Sequence, residues 1–168
     1  MSSCCEETVI GNTKNLLIDI GGFTVDYMVL RFGQLEMEYV DSLENGVIRL
    51  YNSIKAAIRQ KYSILLDEED IDNIILERGG CYKPELKERV REVAIGYVTE
   101  LLGKFRELGI DFNTTQTVFL GGGSILLADF IQIVWKRFGV EYNIINDTKA
   151  NAKGYRLQYL VEKKEEQK

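Results

Sequence analysis

The sequence predicts an α/β fold, and three observations carry that prediction. Three strand-like segments follow one another from Asn15, the apolar period then changes to that of helices, and a glycine loop later joins a short buried strand to a helix. Asn15 to Ile20 (NLLIDI) reads as a buried strand, and Gly21-Gly22 turns the chain into Phe23 to Phe32, rich in β-branched and aromatic residues. Gly33-Gln34 forms a second tight turn. Leu35 to Val40 sets Leu35, Met37 and Tyr39 against Gln34, Glu36 and Glu38, the alternation of a strand with one wet face.

From Gly46 the apolar residues Val47, Leu50, Tyr51, Ile54, Ala57, Ile58 and Tyr62 recur at helical spacing and make one stripe. Asp67 to Arg78 opens on acids that suit a helix N-terminus, carries Ile71, Ile74 and Ile75, and stops at Gly79-Gly80. Pro84 sits where a first helical turn tolerates it. The stripe Leu86, Val90, Val93, Ala94, Tyr97, Leu101, Phe105 and Leu108 then predicts a long amphipathic helix ending at Gly109. Thr117 to Leu120 (TVFL) is a short buried strand, and Gly121 to Ser124 (GGGS) leads into a helix over Ile125 to Phe138. Glu141 to Ile145 is read as a last strand, Thr148 to Val161 as a last helix, and residues 162–168 as a solvated charged tail.

A chain of 168 residues supports one working domain, here 15–161, with residues 1–14 as an N-terminal segment and 41–81 as a small helical subdomain on the main sheet. No apolar run approaches the roughly 20 residues of a membrane span. Nothing near Met1 reads as a secretory signal, so the expected address is cytoplasmic, with no membrane partner. The net charge is −5, and the lysines and arginines are scattered rather than striped, which argues against direct nucleic-acid contact. Cys4 and Cys5 are adjacent and Cys81 has no metal-spaced companion, so a disulfide framework or zinc site is not expected. With no histidine in the chain, imidazole-based triads are excluded. Chemistry here falls to carboxylates, hydroxyls, backbone amides or a bound metal.

Two segments could carry it. In the turn Asp19 to Asp26 (DIGGFTVD), Gly21 and Gly22 would let backbone approach an anion, their amides and the Thr24 hydroxyl could donate to phosphate oxygens, and Asp19 could hold a metal-bound water. The competing explanation is an ordinary hairpin in which Gly-Gly supplies positive φ. In the second segment, Gly121, Gly122, Gly123 and Ser124 bring bare backbone and a helix start to one point, as a ligand with negative charge or a flat ring requires. There the competing explanation is tight strand-to-helix packing. Neither GxGxxG nor a Walker A loop is present. Asn151 to Tyr155 (NAKGY) reads first as small residues packed in a helix.

Taken in order, LLIDIGGFTVDYMV (16–29), VFLGGGS (118–124) and ANAKGY (150–155) resemble the second phosphate loop, adenosine loop and terminal helix of the actin/Hsp70/sugar-kinase superfamily. Among its branches they resemble the ParM/StbA plasmid-segregation actins. The resemblance implies a ribonuclease H-like domain, the second of the two that clasp Mg-ATP, with a five-stranded mixed sheet in the order 3-2-1-4-5 and helices on both faces. It implies that Gly21, Gly22 and Thr24 contact the β/γ-phosphates, and that Asp19 serves catalysis by holding magnesium's water shell or the attacking water. Gly121, Gly122 and Gly123, with Ser124, would lie against the adenosine. The complete protein would then form ATP-dependent filaments and reach plasmid DNA through an adaptor protein. The first phosphate loop is expected on the other domain, so negligible ATP turnover is expected from this chain alone. The alternatives are a non-polymerising half-actin module and a fragment of a sugar-kinase or chaperone-type ATPase.

Overall fold

In a computed structural model, residues 13–146 are described. The element order is β1 (Lys14–Ile20), β2 (Val25–Arg31), β3 (Gln34–Leu43), α1 (Val47–Tyr62), α2 (Glu68–Ile75), α3 (Pro84–Glu107), β4 (Gln116–Leu120), α4 (Gly122–Leu126), α5 (Ala128–Trp135) and β5 (Tyr142–Ile144). The strands form one sheet in the order β3-β2-β1-β4-β5. β1 is antiparallel to β2 and parallel to β4, so the expected mixed sheet and strand order are both present. The helix expected over Thr148 to Val161, the ANAKGY segment, Cys4, Cys5 and the charged tail lie outside the described residues.

Ile18 pairs with Tyr27 on one side and Phe119 on the other, and all three are buried. The Tyr27 ring meets Phe105 of α3 edge-on at 5.3 Å, and Phe119 meets Trp135 of α5 at 5.5 Å. Both helices therefore cover this face. The opposite face carries Leu17, Asp19, Asp26 and Met28, which are half-buried or exposed. Among the described residues the ring contacts between sheet and helices lie on the first face alone. The buried residues of α1 and α2 (Leu50, Ile54, Ile58, Ile71, Ile74) join the same core.

Three expectations about elements are corrected. The row Leu35, Met37, Tyr39 does not form a buried face, for Leu35 is 45% and Met37 74% exposed. Val29 pairs with Glu36, and a bulge between Tyr27 and Val29 then shifts the register, so that Tyr27 pairs with Asp41. The bulge breaks the strict period of two on which the alternation argument relied. Second, the turn before β3 is Phe32-Gly33, both with positive φ (51° and 77°), rather than Gly33-Gln34. Third, the helix expected over Ile125 to Phe138 is two helices that meet at Leu127 and end at Trp135. Leu127 adopts φ −98°, ψ 9°, and its buried side chain is drawn inward at the break.

The other helix ends follow sequence chemistry. Asp67 and Asp70 form a reciprocal capping box at the start of α2. Pro84 opens α3, and beyond its end Gly109 takes φ 81° while Ile110 N–H donates to Phe105 O at 3.1 Å. Tyr97, on the buried face of α3, is shielded from water, and this pushes its phenol up to about 12. The unfolded phenol releases its proton near its ordinary value of 10, so this contribution to stability is intact below pH 10 and fades as pH climbs toward 12. Between those values the stability should fall by an extra ~1.4 kcal/mol per pH unit. Denaturant melts at pH 9, 10, 11 and 12 would check this, with Tyr97→Phe expected to flatten that part of the slope.

Candidate functional site

Parallel pairing of β1 with β4 sets Asp19 beside Leu120, so both glycine segments leave the sheet at the same end. Asp19 is also the register partner of Asp26 on β2. The glycines then divide into two kinds. A Cβ on Gly121 would fall 2.1 Å from Asp19 Oδ1 and 2.7 Å from Ile20 O, and its φ is 87°. One on Gly123 would meet Ile20 Cγ2 at 2.5 Å and Val47 Cγ2 at 2.6 Å. Tight packing accounts for both. Gly122 is exposed, has no positive φ, and a Cβ built on it meets nothing within 4 Å.

The turn between β1 and β2 divides in the same way. Neither Gly21 nor Gly22 has a positive φ, so the ordinary-hairpin explanation of Gly-Gly fails. The Gly21 amide closes the turn by donating to Thr24 O at 2.9 Å, and a Cβ there would crowd that oxygen at 3.1 Å. Amide donors for an anion therefore start at Gly22. Gly22 is exposed with open space where a side chain would go.

Gly21, Gly22, Gly122 and Gly123 line one open pocket of about 430 Å³. Its other wall holds Tyr51 of α1, Asp72 of α2, and Leu76 and Arg78 just beyond α2. The Tyr51 hydroxyl donates to Asp72 Oδ1 at 2.6 Å. Burial first, and then this bond, push the Tyr51 phenol up, so it remains a neutral donor. Arg78 reaches this wall because Glu77 takes φ 52° and the Arg78 amide folds back to Asn73 O at 2.9 Å, ending the helix. Arg78 makes no ion pair within 4.0 Å among the described residues.

Of the residues singled out from sequence, Asp19, Gly121, Thr24 and Ser124 stand around this pocket without lining it. The Ser124 hydroxyl is buried and donates to Leu120 O at 2.5 Å, so it fastens α4 to β4. Tyr51, Asp72, Leu76 and Arg78 went unremarked in the sequence, because Tyr51 fits the apolar stripe of α1 and the others read as an ordinary short helix. The capping box at Asp67 signalled where α2 starts, but nothing local signalled that α2 would face the glycines.

No group of three or more His, Cys, Asp or Glu among the described residues could hold a metal. Asp19 and Asp26, register partners on β1 and β2, are the carboxylates at the two ends of the turn. A second hollow of about 530 Å³ lies between α3 and α5 around Asp111 and Phe112, near the start of β4, and contains none of these glycines. None of the described helices is long and apolar enough to cross a membrane.

The family model for the C-terminal region of archaeal MreB-like actin homologues matches residues 17–132. No curated protein matches the chain. Among solved structures, MreB 5 of Spiroplasma citri bound to AMPPNP is similar with a TM-score of 0.71 at 18% identity, over 94% of this chain and 56% of that one. The archaeal actin homologue Ta0583 gives 0.68 at 18% identity, over 92% and 52%. Bacillus thuringiensis ParM with ATP gives 0.61 at 13% identity, over 90% and 47%. The chain thus spans about half the length of each of these three, and at such identities the likeness establishes the fold.

Proposed function

Because the chain belongs to the family of archaeal MreB-like actin-homologue C-terminal domains, we propose that it is the nucleotide-binding half of an actin-like, filament-forming ATPase. The observation that carries this reading is the pairing of Gly22 and Gly122. Each lacks a side chain that its own backbone and neighbours would accept, and both border one pocket. A nucleotide supplies the missing reason, with phosphates against the Gly22 amide and the adenosine along Gly122.

Within that reading Gly21, Gly22 and Thr24 form the phosphate turn, and Asp19 orients water at the metal's shell. Magnesium, when bound with the nucleotide, neutralises phosphate charge. Gly121 and Gly123 bring the adenosine loop against β1, and Ser124 locks that loop in place. Tyr51, Asp72, Leu76 and Arg78 form the wall facing the sugar and base. Nucleotides in the similar MreB 5 and ParM structures support the assignment of ligand class.

The complete protein, in this proposal, polymerises with ATP and hydrolyses it as a timer on filament stability. Plasmid partition through an adaptor is the finer expectation from the ParM/StbA resemblance. The family match and the MreB 5 likeness favour an MreB-like polymer as the second reading. Calorimetry with Mg-ADP and Mg-ATP tests the site. We expect saturable binding by this chain, with steady ATP turnover too slow to measure. Absence of binding, or brisk hydrolysis abolished by Asp19→Ala, would overturn the assignment. Sedimentation of the complete protein with and without nucleotide tests polymerisation.

A further inference from the structure

The phosphate turn is closed from within by one bond, Gly21 N–H to Thr24 O, and otherwise leans on α1. Its other three carbonyls are taken up by the start of α1: Gly46 N–H donates to Phe23 O at 3.0 Å, Val47 N–H to Gly21 O at 3.0 Å, and Ile48 N–H to Gly22 O at 2.9 Å. Helix α1 has no side-chain cap, so the turn itself satisfies these helix-start amides. The fit is close, since a Cβ on Gly46 would lie 2.4 Å from Gly22 O. With carbonyls turned toward α1, the peptide planes of Gly21 to Phe23 are fixed, and with them the direction of the turn's amides.

Beyond its buried apolar stripe, the start of α1 is tied to α3 through Asn45, the residue before Gly46, which is only 4% exposed. Its side-chain oxygen accepts from Arg49 Nη1 and from Lys104 Nζ at 3.0 Å, and its backbone carbonyl accepts from the buried Tyr97 hydroxyl. Glu100 closes the set, bonding Arg49 Nη2 at 2.8 Å and lying 3.7 Å from Lys104 Nζ. Tyr97, Glu100 and Lys104 lie along one face of α3 at helical spacing. None of them lines the glycine pocket, so they reach it through Asn45 and Arg49 at the start of α1.

We infer that Tyr97 and Lys104 are positioning residues for the phosphate turn: they clamp Asn45, which seats the start of α1 on the carbonyls of Gly21, Gly22 and Phe23. This rests on the nucleotide reading above for its consequence, and on the hydrogen bonds alone for its existence. A buried carbonyl or amide oxygen that loses its donor pulls toward other partners. In the variants the turn then samples other peptide orientations, and the phosphates lose their aligned donors while the adenosine loop is untouched.

The experiment pairs two readouts on the full chain, with Tyr97→Phe, Lys104→Met and Lys104→Arg. The first is amide hydrogen exchange at Gly46, Val47 and Ile48, which needs no nucleotide. We expect it to quicken at least tenfold in Tyr97→Phe and Lys104→Met, to stay near the parent in Lys104→Arg, and to be unchanged along β4. The second is affinity for Mg-ADP beside that for adenosine, expected to weaken about fivefold to tenfold for Mg-ADP only. Unchanged exchange in both Tyr97→Phe and Lys104→Met would overturn the clamp. So would equal losses for adenosine and Mg-ADP, which mark a general loosening of the fold. Failure of the parent chain to bind Mg-ADP would instead sink the nucleotide reading, an outcome separate from either result. Lys104→Met serves as the probe if Tyr97→Phe does not fold.

Discussion

Gly122→Val is expected to abolish measurable Mg-ADP binding while the chain stays folded. The position is exposed, its backbone has no positive φ, and an added Cβ meets nothing within 4 Å. A substitution in such a place shifts stability by no more than about 0.5 kcal/mol. The same side chain projects from the loop on which the adenosine is proposed to lie, so affinity should fall at least a hundredfold, about 2.7 kcal/mol. Gly123→Val, one residue on, should behave in the opposite sense. Its side chain would be driven into Ile20 and Val47, and overpacking of this kind costs about 1–3 kcal/mol or more before any ligand is considered. Calorimetry and thermal melts on both variants would separate site from scaffold. Full Mg-ADP affinity in Gly122→Val would remove the adenosine loop from the proposal.

Trp135→Ala should cost more stability than any other single truncation discussed here. Trp135 is 2% exposed, and four aromatic rings surround it: Phe112 at 4.9 Å, Phe119 at 5.5 Å, Phe138 at 5.4 Å and Tyr142 at 5.2 Å. They come from the loop before β4, from β4 itself, from the turn after α5 and from β5, so one side chain joins the whole β4–β5 half of the sheet to its helix. The indole N–H also donates to Val140 O at 2.8 Å. Truncation leaves a cavity and strips that carbonyl of its donor, a loss of about 3–5 kcal/mol. A chain of this size would then melt roughly 10 °C lower. Urea melts would measure the loss directly, and a change under about 1.5 kcal/mol would mean that the aromatic cluster contributes little beyond filling space.

The sequence by itself determined the kind and order of the elements, because those depend on local chemistry. The helical stripe from Leu86 to Phe105 is buried along one side of α3 as its spacing requires, with Leu108, at 41% exposure, left outside beyond the helix end. Pro84, Asp67 and Gly109 mark helix ends through capping preferences that act within a few residues. The two glycine segments were legible as candidate sites for the same reason, since consecutive glycines stand out against their cost in chain entropy.

Only the tertiary structure decided what each glycine is for. Gly121 and Gly123 are dictated by Asp19, Ile20 and Val47, which lie across β1 and at the start of α1, whereas Gly22 and Gly122 face open space. No local pattern distinguishes the two kinds, because the contacts are between strands far apart in sequence. The inversion of β3 likewise needed the pairing: the Phe32-Gly33 turn sets Leu35 opposite Leu30 and Glu36 opposite Val29, and the bulge between Tyr27 and Val29 then changes the alternation beyond it. The wall of Tyr51, Asp72 and Arg78, and the Asn45 clamp with Tyr97 and Lys104, join residues separated by as many as 59 positions. Such long-range juxtaposition follows from how α1 and α2 pack on α3, and hydrophobic periodicity fixes which face of a helix is buried without fixing which neighbour it meets.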